Sequence, residues 1–174
     1  ENKTKANLEV IRIKNYNHNL RYEPPVRPSP NLPNLQSIYL YPSLAFLEKT
    51  EVSVGRGTKI QFQIYGHPNF ISDFSFTPMP NFGSQYPKLN GKLSFGEDLR
   101  NYKTKDKIEL KWLIKSYNQI SDKTKFFRSD FDRLSGISNL KKQIIEGVSE
   151  SLIRESWKDG LDKFKKIREK YLLY

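Results

Sequence analysis

The chain contains 174 residues, with 30 Lys and Arg against 19 Asp and Glu, a formal net charge of +11 and no cysteine. This length suits one domain, or at most one domain with an appendage. The absence of cysteine excludes a disulfide framework, a thiolate zinc site and a cysteine nucleophile. The positive charge attracts polyanions, among which nucleic acid, anionic glycans and acidic lipids all qualify.

The composition also disfavours metal and membrane proteins. Two histidines are too few for a histidine-rich metal site, so we predict neither a metal nor a cofactor. The sequence contains no run of 18 apolar residues, so we predict no membrane span.

The N-terminal part of the chain is predicted to be mostly extended. Residues 1–7 (ENKTKAN) are polar and are predicted to be linker, whereas apolar residues alternate in Leu8–Lys14 and indicate a strand. Residues 15–33 hold five prolines and no apolar period, which predicts an extended, polyproline-like loop. This loop is either a connector or a preordered wall of a cleft.

Short helices and strands are predicted in the middle of the chain. Asn34–Leu40 and Pro42–Lys49 are typical of two short helical pieces, with Pro42 at a first helical position. Thr50–Thr58 is predicted to be a loop. Three strands are predicted after it: Lys59–Tyr65, Phe74–Thr77 and Leu93–Leu99.

The second half of the chain is predicted to be helical. Apolar residues recur at helical spacing in Lys107–Ile120, in Asn139–Glu146 after Ser138, and in a last helix over 150–170 that Ser149 caps. Strands first and helices later favour an α+β fold. We expect a mixed sheet formed by strands of the N-terminal half, with the amphipathic helices of the C-terminal half packed on it.

The most informative local motif is the loop Val54–Thr58 (VGRGT). Its two glycines allow positive φ and close approach of the backbone to a ligand. Arg56 between them has a planar fork that suits a carboxylate or a phosphate, and Ser53 and Thr58 add hydroxyl groups. The alternative is an ordinary glycine turn with a solvated arginine, which the spacing alone slightly favours.

Other candidate site residues have weaker support. Ser29 and Asn31 lie in the stiff PSPN segment, where the amide group of Asn31 suits a sugar hydroxyl, although a simple turn is favoured. His67 is either a general base or, more favourably, a partly exposed turn histidine. Glycoside hydrolysis uses two facing carboxylates, and the spacing pairs none of the acids near element ends, which are Glu48, Glu97, Asp98, Asp130 and Asp132.

Several segments in order resemble one bacterial family. They are LEVIRIKNY, PVRPSPNLPNLQSIYLYPSLAFLEKTEVSVGRGT, FQIYGHP, the PK–G–F-G-DL stretch and the final KYLLY. They are similar to the NamZ-type exo-β-N-acetylmuramidases, long catalogued as a domain of unknown function, from about residue 8 to the end of the chain. The sequence departs from the family at Val54, where many members have Glu, and at His67, where a small residue is usual.

The resemblance implies that residues 8–174 are the C-terminal auxiliary domain of a two-domain hydrolase, and that residues 1–7 are the remnant of an interdomain linker. A Rossmann-like N-terminal domain would carry the catalytic glutamate, so no catalytic residue is assigned to this chain, which alone would be inactive. The parent enzyme would release terminal β-linked N-acetylmuramic acid from non-reducing ends of peptidoglycan fragments during cell-wall recycling. It would be periplasmic, secreted or lipid-anchored.

The resemblance carries five residues over as substrate contacts: Arg56, Ser53, Thr58, Asn31 and Ser29. N-Acetylmuramic acid has a lactyl carboxylate that glucosamine lacks, and a bidentate arginine is a natural partner for that group. Arg56 therefore either contacts the substrate carboxylate or holds the domain interface by donating to carbonyl groups, and the two are nearly even. The expected partners are the N-terminal domain and muropeptides.

Two other function classes compete with this one. A non-catalytic peptidoglycan- or glycan-binding module would use the charge of +11 for attraction to anionic muropeptides. A nucleic-acid-binding domain is disfavoured because the basic residues are spread along the chain and no recognition motif occurs, so we predict no nucleic-acid partner.

Overall fold

A computed structural model describes residues 6–173 of the chain. The chain forms two compact units, one made of Glu23–Ser156 and the other of the two chain ends, up to Tyr22 and from Trp157 onward. Most of the predicted linker, residues 1–5, lies outside the described residues.

The prediction of a first strand is wrong. Leu8–Lys14 forms no regular element, and its apolar side chains are exposed, Leu8 at 77% and Ile11 at 88%. Alternating apolar residues make a strand only where a second backbone pairs with them in a sheet, and the sheet of the described residues is formed by other segments.

The two predicted helical pieces form a nearly continuous helical segment. Helix α1 spans Leu35–Leu44 and continues as a 3₁₀ helix over Ala45–Lys49. Asn34 caps α1 through a reciprocal capping box with Ser37. Pro42 lies inside α1 rather than at a new start, where it removes one backbone donor of the helix.

The α+β class is confirmed. Strands β1 (Ile64–His67), β2 (Phe74–Phe76) and β3 (Ser94–Asp98) form a sheet of order β1-β3-β2. Both pairings are antiparallel. The expectation of a mixed sheet is therefore wrong for these three strands. A parallel pair needs a crossover connection, usually an α-helix, and the connecting segments 68–73 and 77–93 contain no helix.

The clearest predicted strand, Lys59–Tyr65, is strand only from Ile64 onward. Phe62 has a φ of +53° and donates its N–H to the carbonyl of Val54 over 2.9 Å. The residues from Gln61 to Tyr65 are all buried, because the chain turns into the core here instead of presenting alternate side chains to solvent.

The helices of the second half largely confirm the predicted periods. They are α2 (Lys111–Gln119), α3 (Lys123–Phe126), α4 (Phe131–Ser135), α5 (Asn139–Ile145), α6 (Glu150–Glu155) and α7 (Lys158–Arg168), followed by a 3₁₀ turn at Glu169–Tyr171. The sequence did not predict α3 and α4, because four or five residues are too few to show a helical period.

The predicted last helix is divided into α6 and α7. Ser149 caps α6 as predicted, accepting from the N–H of Leu152 over 3.4 Å. Ser156 then donates its hydroxyl to the carbonyl of Ile153 over 2.7 Å. A serine that takes a backbone carbonyl in this way competes with helical hydrogen bonding, and α6 ends at Glu155.

Aromatic side chains form much of the core of the larger unit. Phe127 stacks on Tyr117 and meets Phe126 and Phe131 edge to face, with ring centroids 4.6–5.6 Å apart. Such pairs contribute about 0.5–1.5 kcal/mol each beyond their buried area. Across residues 6–173, no helix is both long and apolar enough to cross a membrane.

Replacing Gly96 with alanine should weaken the larger unit by about 3 kcal/mol. Gly96 lies in the central strand β3, and a Cβ there would lie 1.8 Å from the carbonyl oxygen of Tyr65 and 2.7 Å from Cα of Gly66. The added Cβ would clash with backbone atoms, which cannot move aside as the end of a flexible side chain can. Strands β1 and β3 would therefore have to separate. Urea unfolding followed by the fluorescence of Trp112, which is buried, measures the loss.

The matched control is Gly160→Ala. Gly160 lies in α7, and a Cβ added to it would have no neighbour within 4 Å among the described residues, so alanine should leave the Trp112 transition in place. An unchanged transition midpoint in Gly96→Ala would contradict the tight β1–β3 approach.

Candidate functional site

The VGRGT loop is a left-handed turn, as predicted. Gly55 and Gly57 have φ of +78° and +81°. Thr58 closes the turn, because its N–H and its hydroxyl both donate to the carbonyl of Gly55, over 3.0 and 2.7 Å. The left-handed φ before and after Arg56 favours glycine at both positions.

Gly57 also allows a close approach between the VGRGT loop and the segment 78–91. The N–H of Met79 donates to the carbonyl of Gly57 over 2.9 Å. A Cβ on Gly57 would lie 2.6 Å from the carbonyl oxygen of Met79 and 2.7 Å from Cβ of Pro87. No side chain fits at position 57, so this glycine sets the position of the segment.

The segment 78–91 in turn connects the VGRGT loop to the proline-rich segment. Asn81 donates through Nδ2 to the carbonyl of Thr58 over 3.1 Å and forms a tight turn with Ser84 through backbone hydrogen bonds of 2.9 and 3.1 Å. At that turn the carbonyl of Gly83 accepts from Nδ2 of Asn31 over 2.7 Å. Two motifs that are distant in the sequence are thereby brought together.

A concavity of about 560 Å³ lies where these segments meet. This concavity is lined by Arg27, Pro30, Pro33, Thr58, Lys59, Gln61, Asn81, Phe82 and Gly83. Thr58 of the VGRGT loop and Pro30 of the PSPN segment thus face one space, whose size is in the range of small-ligand sites.

The lining residues carry positive charge and an exposed aromatic ring. Arg27 and Lys59 are exposed, and among the described residues neither finds a hydrogen bond or an ion pair. The ring of Phe82 is 94% exposed at the turn between Asn81 and Ser84. Phe82 therefore adds an exposed apolar surface to the lining of the concavity.

Two buried amide groups beside the concavity have an oxygen without a partner. Asn31 and Gln61 are 6% and 7% exposed, and Oδ1 of Asn31 and Oε1 of Gln61 accept no hydrogen bond from residues 6–173. Buried polar atoms normally find a partner, so both amide oxygens are buried, unsatisfied acceptors beside the concavity.

Arg56 has a carboxylate partner within the chain. Its Nε and Nη2 donate to Oε1 and Oε2 of Glu48, each over 2.7 Å, and its guanidinium lies 5.1 Å from the ring centroid of Phe62. The hydrogen bonds to Glu48 raise the pKa of Arg56. Arg56 is not among the residues that line the concavity.

The two predicted serines support backbone. Ser53 is buried, pairs with Gly66 beside β1, and accepts the N–H of Gly55 over 3.2 Å through its hydroxyl. Ser29 accepts the N–H of Asn31 over 3.2 Å. Of the five predicted contacts, Thr58 lines the concavity and Asn31 borders it through Gly83, and the role of all five in substrate binding stays a prediction.

Lys88 holds the chain just before the VGRGT loop. Its Nζ donates to the carbonyls of Leu47, Glu48, Thr50 and Val52 over 2.5–3.2 Å. Burial and, to a smaller extent, the charge of Arg128 lower the pKa of Lys88 to about 8, whereas Glu48 and Glu51 oppose the change.

Most of the other titratable candidates form hydrogen bonds or ion pairs within the chain. Burial lowers the pKa of His67, whose Nδ1 accepts the N–H of Asn69 over 3.2 Å. Four of the five acids near element ends form ion pairs: Glu48 with Arg56, Glu97 with Lys115, Asp98 with Arg100 and Asp130 with Lys49. Residues 6–173 contain no group of three side chains suited to hold a metal.

Most of the residues that line the concavity were not predicted from the sequence. Gln61 lies in a segment interpreted as a plain strand, and Asn81 and Phe82 lie in a long turn-rich stretch without a period. Arg27 carries one signal that could identify it, because it lies between prolines within the five-proline segment. Lys59 directly follows the VGRGT motif, but the sequence pattern assigns it to a strand.

Comparison with known proteins identifies the family. The family model for the C-terminal part of the exo-β-N-acetylmuramidase NamZ matches residues 39–174. The peptidoglycan β-N-acetylmuramidase NamZ of Bacillus subtilis (strain 168) is 31% identical over 193 residues, covering 97% of this chain and 46% of that protein.

Two solved structures share the fold. A DUF1343 family protein from Bacteroides fragilis NCTC 9343 is 42% identical with a TM-score of 0.89, over 92% of this chain and 47% of that chain. A second DUF1343 family protein from the same organism is 18% identical with a TM-score of 0.61, over 86% and 45% of the two chains.

The chain therefore belongs to the NamZ C-terminal family, as the sequence motifs indicated. It spans slightly less than half the length of the relatives that it matches.

Replacing Lys88 with methionine should remove a pH dependence of stability. The pKa of Lys88 is about 8 in the folded chain against 10.5 for a free lysine, so the unfolded state binds more protons between these values. Stability therefore rises with pH in that window. The free energy of unfolding of the wild type relative to Lys88→Met should increase by about 3 kcal/mol across the window between these two pKa values.

Urea titrations at several pH values measure this difference, with the exposed Lys92→Met as the control. A constant difference between wild type and Lys88→Met across the window would contradict the burial of the Lys88 ammonium.

Replacing Arg56 with lysine should lower stability by about 1 kcal/mol, because lysine cannot form the bidentate pair with Glu48. A double-mutant cycle with Glu48→Gln measures the coupling between the two side chains in thermal unfolding. Additive effects of the two substitutions would show that the ion pair stabilises nothing and leave Arg56 free for another partner.

Proposed function

We propose that this chain forms one wall of the substrate cleft of an exo-β-N-acetylmuramidase. The parent hydrolase would release terminal β-linked N-acetylmuramic acid from the non-reducing ends of peptidoglycan fragments. One observation supports this most directly: the PSPN segment and the VGRGT loop, the two most specific motifs of the family resemblance, meet at the concavity through Asn31, Gly83, Asn81 and Thr58.

The chemistry would belong to the part of the parent protein outside this chain. Glycoside hydrolysis uses two carboxylates that face one bond, and four of the five acids near element ends are held in ion pairs with lysine or arginine. Among the described residues, no Asp or Glu lines the concavity. The chain would therefore bind and orient the sugar, and an N-terminal domain would supply the catalytic glutamate.

The proposed substrate also sets the proposed location. Peptidoglycan fragments are products of the cell wall, so the parent protein would work in the periplasm or as a secreted or lipid-anchored protein, in wall recycling. The net charge of +11 would favour encounter with anionic muropeptides.

A second function has support from the same charge. A non-catalytic peptidoglycan-binding module would need only electrostatic attraction, and Arg27 and Lys59 are cations available for it. Sedimentation with insoluble peptidoglycan separates the two functions, because a binding module should retain this chain on the wall at low salt and release it at high salt. A cleft wall should bind poorly without its other half.

Activity assays should show a division of labour between the two halves. We expect the whole parent protein to hydrolyse a chromogenic β-N-acetylmuramide and to leave the corresponding β-N-acetylglucosaminide largely intact. This chain alone should show no turnover above background, because it lacks the catalytic carboxylate.

A variant of the lining is the parent protein with this chain's Lys59→Gln, which removes one exposed cation of the concavity and should raise KM with little change in kcat. Robust turnover by this chain alone would overturn the assignment of catalysis to the other half. An inactive parent protein that binds peptidoglycan would favour the binding module instead.

A further inference from the structure

We propose that Arg27 and Lys59 together bind the carboxylate of the sugar in the concavity, and that the ring of Phe82 supports the sugar ring. This inference rests on the proposed function and names the residues that would select an acidic sugar over a neutral one.

These two cations differ from four basic residues of the same unit that have partners within it. Arg56 is paired with Glu48, Lys49 with Asp130 and Arg100 with Asp98, and Lys88 donates to four carbonyls. Within residues 6–173, Arg27 and Lys59 have no such partner although both line one concavity.

The lining of the concavity is electropositive. It includes two cations and, among the described residues, no Asp or Glu. Both cations can donate to a neutral sugar hydroxyl only as they already donate to water. A carboxylate accepts charge-assisted hydrogen bonds, which are stronger, from each of them. A carboxylate is thus the group that this pair distinguishes.

Two unsatisfied amide oxygens complement the cations. Gln61 lines the concavity and Asn31 donates to its rim at Gly83. Both side chains are more than nine-tenths buried, and one oxygen of each is without a partner among the described residues. Hydroxyl and acetamido N–H groups of a sugar are donors that would satisfy these acceptors. Both oxygens are buried, so the amide side chains would turn toward the concavity when they accept from the sugar.

Phe82 supplies the remaining surface. The turn between Asn81 and Ser84 is fixed by hydrogen bonds to Thr58 and Asn31 on either side, yet the ring at its tip is 94% exposed. An exposed aromatic ring carried on a fixed turn at the edge of a concavity suits the apolar face of a pyranose. An apolar ring does not distinguish a charged sugar from a neutral one, so Phe82 should contribute equally to the affinity for both.

The test uses two sugars that differ by one group. N-Acetylmuramic acid carries the lactyl carboxylate and N-acetylglucosamine does not. Binding of each to the whole parent protein is measured by calorimetry for the wild type, for Arg27→Gln/Lys59→Gln and for Phe82→Ala. The control is Lys107→Gln/Arg133→Gln, which removes the same charge from exposed residues that do not line the concavity.

Arg27→Gln/Lys59→Gln should lose about tenfold or more in affinity for N-acetylmuramic acid and keep its affinity for N-acetylglucosamine. Phe82→Ala should weaken both sugars by the same factor, and the control should match the wild type. Unchanged binding of N-acetylmuramic acid in Arg27→Gln/Lys59→Gln overturns the inference, and so does an equal loss for both sugars.

The same measurements separate this inference from the proposed function. A parent protein that hydrolyses the β-muramide but keeps its affinity in Arg27→Gln/Lys59→Gln contradicts the inference alone. A parent protein without muramidase activity contradicts the proposed function, and glucuronic acid against glucose then tests the carboxylate preference. Loss of glucuronic acid binding in the double variant would support the inference, and no preference between these sugars would overturn it.

Discussion

The concavity depends on the close backbone approach at Gly57. The N–H of Met79 reaches the carbonyl of Gly57 over 2.9 Å only because position 57 has no side chain. This contact sets the start of the segment that carries Asn81, Phe82 and Gly83, and Gly83 then holds Asn31 of the proline-rich segment. A single steric condition thus places three separate parts of the sequence around one space.

The charges near this space fall into two groups with different roles. Arg56 and Lys88 are committed to the fold, since one pairs with Glu48 and the other donates to carbonyls of the chain between residues 47 and 52. Both stabilise the entry to the VGRGT loop. Arg27 and Lys59 have no internal partner among the described residues, and their charge is available to a ligand.

The sequence predicted the features that depend on neighbouring residues. The left-handed turn at VGRGT follows from the spacing of its glycines, and Ser149 caps α6 as its position indicated. The predicted strand at Leu8–Lys14 failed because alternation shows only which side chains share a face and not whether a second strand is present. The positive φ of Phe62 ended the strand character of Lys59–Gln63, and no local pattern signals such a residue.

The site itself was only partly predictable for the same reason. The resemblance to the family identified the PSPN and VGRGT motifs, and the structure brings both to one concavity. The lining cations and Phe82 become a group only after the segment 78–91 folds back onto Gly57, which is a long-range event. The planar guanidinium group of Arg56 binds a carboxylate, as the sequence indicated. In this structure that carboxylate belongs to Glu48.

A crystal structure of the whole parent protein with N-acetylmuramic acid bound would test the role of the concavity most directly. We expect the sugar in the concavity, its lactyl carboxylate within hydrogen-bond distance of Arg27 and Lys59, and its ring against Phe82. A sugar bound elsewhere with the concavity empty would contradict this role. So would a lactyl carboxylate that displaces Glu48 from Arg56 while Arg27 and Lys59 remain without a contact.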